Sequence, residues 1–214
     1  MNEFVEKQRK SNIWKRDDLD WYVEPVRATE QLLRFERFVG DIWDPCCGQG
    51  NIIQALVNSG YPFCCGTDIE TREPMQQALK NMRWLGRFDY KNINSPADIP
   101  IRASQCRNII SNPPFFKAAG TEDFILRALE FAHGKVIIFT DIRFLAGGSR
   151  ACGIYRKFPP NRIYLITPRV SCPPGKFLAD GGRASGGSSD WCWMVWDKTV
   201  PIQFTSVHWL TKDD

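Results

Sequence analysis

The stretch Ser111-Asn112-Pro113-Pro114-Phe115 places an amide, two prolines and an aromatic ring directly after an apolar run. Residues 106–110 are typical of a short buried strand, and two consecutive prolines allow neither a continuing strand ladder nor a helix. Asn112 therefore follows a strand end, where ligands bind in open parallel α/β sheets. A fixed amide beside a fixed backbone carbonyl predicts a recognition corner, with an ordinary Asn-Pro turn as the alternative.

A second pattern is a glycine loop between a strand and a helix. The loop Pro45-Cys46-Cys47-Gly48-Gln49-Gly50 follows a short strand that ends at Asp44, and it precedes a helical segment at 51–58. Gly48 and Gly50 let the backbone turn sharply and approach a ligand, and the helix start presents free amides. The Asp44 carboxylate is placed to face an ammonium group of that ligand. An ordinary turn between strand and helix is the alternative.

The next strand also ends in a carboxylate. Residues 63–66 are apolar or small and lead to Asp68, Ile69 and Glu70, one helix after the glycine loop, as a right-handed βαβ unit requires. A carboxylate at the end of the second strand of a nucleotide-binding unit can accept both ribose hydroxyls. Asp68 fits this role, Ile69 is placed to pack on an adenine face, and Glu70 is a competing assignment.

The elements that position these residues alternate between strand and helix. A helix is predicted from 74 to about 84 and a third strand at about 90–94, so that Asn94 or Asp98 could contact the adenine edge. Further strands are predicted at 135–139, 162–167 and 191–196. Since no helix fits between the last two, they pair as an antiparallel hairpin at the sheet edge. The predicted fold class is α/β, with a mostly parallel sheet of seven strands, an antiparallel seventh strand and helices on both faces.

Composition sets the outer limits. The 214 residues are 43% hydrophobic, which predicts one domain at 20–214, preceded by a basic N-terminal arm at 1–19 and containing a mobile Gly/Pro/Ser-rich loop at 170–190. A net charge of +4 permits a nucleic-acid partner without requiring one. The eight cysteines lack Cys-x-x-Cys spacing, so we expect no metal. No apolar run approaches the ~20 residues of a membrane span, so we expect a soluble, cytoplasmic protein.

Taken together, the glycine loop, the acid after the second strand, Asn-Pro-Pro-Phe after the fourth and the terminal hairpin resemble the class I S-adenosylmethionine-dependent methyltransferases. The aromatic segment from Trp21 to Pro25, ahead of the loop, is similar to an extra cofactor-site motif of small phage-type DNA N6-adenine methyltransferases. The resemblance implies a Rossmann-like fold and S-adenosylmethionine as the cofactor. The implied cofactor-site residues are Trp21, Tyr22, Pro25, Asp44, Pro45, Cys46, Gly48, Gly50, Asp68, Ile69 and Asn94.

The same resemblance implies a mechanism at the corner. The side-chain oxygen of Asn112 and the backbone carbonyl of Pro113 would accept the two hydrogens of an exocyclic amine, and Pro114 would complete the rigid turn. Phe115 would stack on the base. Five cations could contact phosphates: Lys117, Arg143, Arg150, Lys176 and Arg183. Cys46 is not placed as a nucleophile, because it lies in the cofactor loop.

Two departures from the family leave alternatives open. No segment is long enough for a separate target-recognition domain, and Glu24 stands where the family often has a small hydroxylated residue. DNA is therefore favoured as the partner, with RNA (adenine N6 or guanine N2) or a protein glutamine amide as alternatives. A homodimer, or a non-catalytic subunit needing a recognition partner, is also open. A nicotinamide-dependent oxidoreductase is disfavoured, since Ile53 stands where the third glycine of that motif belongs.

Overall fold

Eight strands form one mixed sheet in the computed structural model, which describes residues 17–81, 83–93, 98–116, 119–184, 186–187 and 189–212. The strands are β1 (Ile42–Asp44), β2 (Cys64–Asp68), β3 (Trp84–Arg87), β4 (Asn108–Ser111), β5 (Lys135–Asp141), β6 (Arg162–Ile166), β7 (Trp191–Asp197) and β8 (Ser206–Leu210). Their order across the sheet is β3-β2-β1-β4-β5-β7-β6-β8. β7 runs antiparallel to both of its neighbours, and every other pairing is parallel.

Helices cover both faces of this sheet. They are α1 (Val26–Leu32), α2 (Asn51–Asn58), α3 (Gln77–Lys80), α4 (Ile101–Ser104), α5 (Ala119–Phe131), α6 (Gly148–Cys152), α7 (Ile154–Lys157) and α8 (Gly175–Ala179). Side chains alternate along β5, so that Ile137 and Phe139 pack on the face of α1 and α2, whereas Val136 and Ile138 pack on the face of α5. The β-branched run in β5 suits a strand that is buried on both faces.

The chain changes direction across the sheet at β1. β1 pairs with β2 on one side and with β4 on the other, so the connections diverge between β1 and β4. Ligands bind in the crevice outside the carboxyl ends of strands at such a switch point. Asp44, Asp68 and Asn112 lie at or just after the ends of β1, β2 and β4. The topology therefore brings the three predicted strand-end residues to one edge.

The prediction of a mostly parallel α/β sheet with an antiparallel seventh strand and helices on both faces is confirmed, but two of its details are wrong. Residues 206–210 form an eighth strand parallel to β6, so the β6–β7 hairpin lies inside the sheet rather than at its edge. The third strand is Trp84–Arg87, while residues 90–92 form a 3₁₀ turn. β3 is half exposed and contains Gly86 and Arg87, so it lacks the apolar run that marks the central strands.

A buried ion-pair cluster lies in the turn that follows α1. Helix α1 ends at Leu32, and Glu36 in the following turn is 2% exposed. The Glu36 carboxylate accepts hydrogen bonds from Arg162, Lys135 and the Tyr164 hydroxyl. Tertiary pairing of this carboxylate, rather than helical periodicity, fixes the turn.

The loop predicted at 170–190 is partly structured. It contains α8, and two of its own residues, Val170 and Cys172, are buried. Residues 1–16 of the predicted basic arm lie outside the described residues. Among the helices that are described, none has both the length and the apolarity to cross a membrane.

Candidate functional site

A cavity opens at the carboxyl ends of β1, β2 and β4. It holds about 730 Å³ of empty space when the open solvent at its mouth is included. Four chain segments line it: residues 19–24, the glycine loop, the end of β2 and residues 88–91 after β3, together with Asn112, Pro114 and Phe116. The cavity is therefore built from the strand ends that the sequence singles out.

The side chain of Asn112 is held in place by two hydrogen bonds from its amide nitrogen. Its Nδ2 donates to the carbonyl oxygen of Tyr22 at 2.9 Å and to Oε2 of Glu24 at 2.7 Å. Both partners are acceptors, which fixes the amide orientation. The side-chain oxygen Oδ1 is buried and has no hydrogen-bond partner among the described residues. An unpaired buried acceptor costs about 1–3 kcal/mol, so this oxygen is poised to take a donor from a ligand.

Glu24 lines the cavity and contacts two elements of the site. Its carboxylate accepts from Asn112, and its backbone carbonyl accepts from Nδ2 of Asn51 at 2.6 Å, at the first residue of α2. The side chain is buried, with no ion-pair partner among the described residues. Burial raises the pKa of Glu24 from 4.5 to about 7, against the lowering effect of the Asn112 hydrogen bond.

Two more carboxylates crowd the same region. Asp44 is fully buried; its Oδ1 accepts from the Ser111 hydroxyl at 2.6 Å, and its Oδ2 has no partner among the described groups. Burial raises the pKa of Asp44, and the nearby Glu24 and Asp68 raise it further. Burial also raises the pKa of Asp68. Three buried acidic groups, two of which disfavour the charge of Asp44, make a site that stabilises a cation.

Asp68 bridges the glycine loop and the end of its own strand. It accepts from the backbone nitrogen of Gly48 at 2.8 Å and from that of Glu70 at 3.1 Å, with Arg72 at 3.5 Å. Gly48 adopts φ +53°, a conformation that favours glycine, and a Cβ there would lie 3.1 Å from Nε1 of Trp21. Glycine therefore allows Trp21 to close over the loop.

Aromatic rings flank the corner. Phe115 lies between Tyr22 and Trp191, at centroid distances of 6.1 and 5.8 Å, and Trp191 stacks on Phe139 at 4.9 Å. Phe116 lines the cavity with φ +37°, and its backbone nitrogen donates to the Asp20 carboxylate at 2.6 Å. The rings provide apolar walls on which a planar group could stack.

Residues 20–25, which we call the strap, close one side of the cavity. The Val23 nitrogen donates to the Pro173 carbonyl at 2.9 Å, and the Trp21 carbonyl accepts from the Gly175 nitrogen at 2.8 Å. The Tyr22 carbonyl accepts from Asn112. The strap thus joins the corner to the loop that contains α8.

The structure brings some predicted site residues together and separates others. Those that line the cavity are Trp21, Tyr22, Cys46, Gly48, Asp68, Ile69, Asn112 and Pro114. Asp44 and Pro113 are buried behind the cavity, and Phe115 packs beside it. Pro25 is the N-cap residue of α1. The Pro45 carbonyl accepts a hydrogen bond from the Thr67 hydroxyl, and Gly50 packs on Leu79. Asn94 lies outside the described residues, and its competitor Asp98 does not line the cavity.

Four of the five cations proposed for phosphate contact are described, and none of these four lines the cavity. Arg143 pairs with Asp141, and the Arg150 guanidinium lies over the Phe144 ring. Lys176 lines a neighbouring groove with Trp21 and Arg72, and Arg183 is exposed. Lys117 lies outside the described residues. The cavity itself presents Arg72 and Lys91 instead.

Sequence reasoning missed the residues that follow β3. Phe88 and Asp89 line the cavity, and Asp89 accepts from the backbone nitrogen of Lys91 at 3.0 Å. They were missed because the third strand was placed six residues too late. An aromatic residue followed by an acid at 88–89 was the available signal. Glu24 was noted only as a departure, and its contact with a residue 88 positions away has no local signature.

No protein-family model and no curated protein matches the sequence. Among solved structures, a proposed RNA methyltransferase from Pyrococcus horikoshii is similar at a TM-score of 0.58 and 14% identity, over 85% of this chain and 89% of that one. The modification subunit of a proposed type I restriction enzyme from Vibrio vulnificus has a TM-score of 0.56 at 11% identity, over 90% of this chain and 48% of its own. The M protein of the type I restriction enzyme EcoKI has a TM-score of 0.53 at 13% identity, over 85% of this chain and 45% of its own.

The chain spans about half the length of these two restriction-enzyme subunits. At such identities, the likeness establishes the fold alone. The chain has the Rossmann-like fold of the class I S-adenosylmethionine-dependent methyltransferases.

Proposed function

We propose that the chain transfers a methyl group from S-adenosylmethionine to the exocyclic amine of a nucleic-acid base, with N6 of adenine in DNA as the first candidate. The observation that carries this proposal is the buried, unpaired Oδ1 of Asn112 at the edge of a carboxylate-lined cavity. An amine hydrogen is the donor that this oxygen lacks. The fold and the comparisons support methyl transfer, and the target atom is our inference.

The cavity residues fit the cofactor. When bound, S-adenosylmethionine supplies an electrophilic methyl group on a positively charged sulfur. Glu24, Asp44 and Asp68 suit its cationic charge, and Asp68 can accept the ribose hydroxyls. Gly48 keeps the loop open to the ligand. Ile69 is 43% exposed and lines the cavity with Phe88, so these two side chains offer apolar surface to an adenine ring.

The corner would handle the methyl acceptor. The amine of adenine is a weak nucleophile because its lone pair is delocalised into the ring. Oδ1 of Asn112 and the carbonyl of Pro113 would accept its two hydrogens, which localises the lone pair and aims it at the methyl group. Phe115 would stack on the base. In duplex DNA, flipping the base costs about a few kcal/mol, which stacking and hydrogen bonds offset.

Two features of the comparisons guide the choice of acceptor. The M protein of EcoKI is named with an adenine-methyltransferase enzyme class, which supports DNA. RNA is the second candidate, because the chain spans 89% of the proposed RNA methyltransferase. Since the restriction-enzyme subunits are about twice as long, a partner that supplies target recognition is part of the proposal.

The test is mass spectrometry of nucleosides after incubation with S-adenosylmethionine that carries a deuterated methyl group. Unmodified duplex DNA, single-stranded DNA, total RNA and a protein extract would be compared in parallel. We expect deuterated N6-methyladenine in DNA. Label in RNA alone would move the assignment to the second candidate, and label in protein alone would contradict a nucleic-acid substrate.

Asp68 provides a prediction on cofactor binding. We expect Asp68→Asn to weaken binding of S-adenosylmethionine by about 10–100-fold, because an amide supplies one acceptor oxygen where the carboxylate supplies two, and a charge-assisted bond is worth about 1.5–3 kcal/mol. Isothermal titration calorimetry measures the dissociation constant. Glu70→Gln is the matched control, since Glu70 is more exposed and pairs with Arg87; its affinity should change less than about twofold. Equal affinity of both variants would remove Asp68 from the cofactor site.

A further inference from the structure

Glu24 connects the part of the cavity that would hold the cofactor with the amide that would hold the acceptor. Its carboxylate binds Nδ2 of Asn112 at 2.7 Å, while the same residue lines the cavity below the glycine loop. Its backbone carbonyl binds Asn51, which begins the helix after that loop. A change in the charge of Glu24 therefore acts directly on the catalytic corner.

Among the described residues, Glu24 forms no ion pair, and the nearby cation Arg27, in α1, acts on the Cys172 thiol. Asp44 from β1 repels it, and Asp68 from β2 adds to the negative charge around Asp44. Arg72 is committed to Asp68. The Cys172 thiol, from the segment after β6, also lies within electrostatic range of Glu24.

The amide of Asn112 depends on this carboxylate for one of its two hydrogen bonds. An ionised carboxylate accepts only, and hydrogen bonds to it are about twice as strong as those between neutral groups. A protonated carboxyl accepts more weakly and also presents a hydroxyl donor. The ionised form of Glu24 is therefore the form that holds Nδ2 and leaves Oδ1 facing away from the strap.

We propose that Glu24 is a positioning residue that couples cofactor charge to the catalytic amide: a cation in the cavity keeps Glu24 ionised, and ionised Glu24 holds Asn112 with Oδ1 presented to the methyl acceptor. This inference rests on the proposed function and extends it. It makes cofactor occupancy a condition for a correctly oriented corner.

The direction of the pH effect follows from burial. In the ligand-free protein the pKa of Glu24 is raised to about 7, so the neutral form predominates at pH 6 and the ionised form at pH 8. A bound cation favours the ionised form and lowers this pKa. Cofactor binding then releases a proton below about pH 7, and affinity rises with pH until Glu24 is ionised in the free protein.

The experiment compares S-adenosylmethionine with S-adenosylhomocysteine, its demethylated product with an uncharged sulfur, by titration calorimetry at pH 6.0 and 7.5. For the wild-type chain we expect affinity for S-adenosylmethionine to rise about five- to tenfold over this range, with proton release detected from buffers of different ionisation enthalpy. Affinity for S-adenosylhomocysteine should rise less. Glu24→Gln should abolish the difference in pH dependence, and Glu30→Gln, an exchange on the surface of α1, should retain it.

Measurements of kcat and KM distinguish a positioning role of Glu24 from a purely structural one. Glutamine, like protonated Glu24, offers Nδ2 only a neutral acceptor, so Glu24→Gln should lower kcat at saturating cofactor to a value between those of the wild type and Glu24→Ala, while its KM for cofactor rises. Glu24→Ala lacks the acceptor, and its kcat should fall about tenfold or more, in line with the loss of a positioning hydrogen bond.

Two results would overturn the inference in different ways. If wild-type protein binds both ligands with the same pH dependence and without proton release, the coupling is wrong while the proposed function stands. If it binds neither ligand at any pH, the proposed function fails and the coupling fails with it. Since the comparison of ligands uses wild-type protein, it holds even if a Glu24 variant does not fold.

Discussion

Asn112→Ala is expected to lower kcat for methyl transfer by about 10²–10³-fold, the usual loss when one preorganised hydrogen-bonding group is removed from an active site. Its Oδ1 is a buried acceptor without a partner among the described residues, so the substituted corner could no longer bind one hydrogen of the acceptor amine. At pH 8, affinity for S-adenosylmethionine should change less than about threefold, because the acidic groups remain. Single-turnover rates measure the first quantity and calorimetry the second.

A double-mutant cycle gives the matched control for this prediction. In the wild-type protein, the Tyr22 carbonyl and Glu24 accept hydrogen bonds from Nδ2 of Asn112. Asn112→Asp would place a carboxylate against these two acceptors, so we expect this variant to be as inactive as the alanine variant. Adding Glu24→Gln supplies a donor and should restore part of the activity, which makes the two changes non-additive. Wild-type turnover by Asn112→Ala would refute the proposed role of the corner.

Glu36→Gln should destabilise the fold by about 3 kcal/mol, the lower end of the cost of removing one partner from a buried ion pair. The lower end applies because Asp197 would still bind Arg162 at 3.0 Å and Lys135 at 3.6 Å. Those two cations are only 23% and 15% exposed, so they cannot regain full hydration. Urea denaturation measures the free energy of unfolding.

Glu24→Gln is the control, because Glu24 is buried like Glu36 but forms no ion pair with a cation in the described part of the chain. The raised pKa of Glu24 gives the sign of the effect on stability. The free-energy penalty of burying the charged carboxylate is absent below the ordinary pKa of 4.5 and grows as pH rises through about 7. Without cofactor, Glu24→Gln should therefore stabilise the protein by about 2 kcal/mol at pH 8 and leave it unchanged at pH 4. Destabilisation by both substitutions at pH 8 would show that Glu24 is held as a structural charge.

The contrast explains why the site is costly to fold. Glu24, Asp44 and Asp68 all have raised pKa values, chiefly because burial disfavours their charge. Glu36, by comparison, is surrounded by cations. A binding cation would relieve the first group, and ligand binding would then stabilise the protein by mass action.

Much of the fold follows from local patterns. The interiors of the buried strands β1, β2, β4, β5 and β7 are dominated by apolar or small residues, and parallel strands end at one edge. Strand-end residues such as Asp44, Asp68 and Asn112 could therefore be placed together from the sequence. β3 and β8 were misplaced or missed because they lie at the sheet edges, where one-sided burial weakens the pattern. Because β3 was misplaced, the two cavity residues that follow it, Phe88 and Asp89, were missed as well.

The contacts of the strap could not be predicted for a different reason. A glutamate before a proline is typical of a solvated helix start, yet Glu24 is 6% exposed because a corner almost ninety residues later folds over it. Long-range pairing of this kind leaves no trace in local periodicity. Residues that depart from a family pattern are where such pairing is best sought.

Four hydrogen bonds attach the strap through its backbone, made by the carbonyl groups of Trp21, Tyr22 and Glu24 and the amide of Val23, and the carboxylates of Asp20 and Glu24 add side-chain bonds. Nearly every amino acid supplies the backbone groups, so a change of side chain leaves those four attachments intact. The backbone path of the strap therefore depends little on which side chains it carries. A related protein could thus exchange Trp21 or Glu24 and keep the same wall around a differently shaped and differently charged interior, which makes this wall a natural place for ligand preference to evolve.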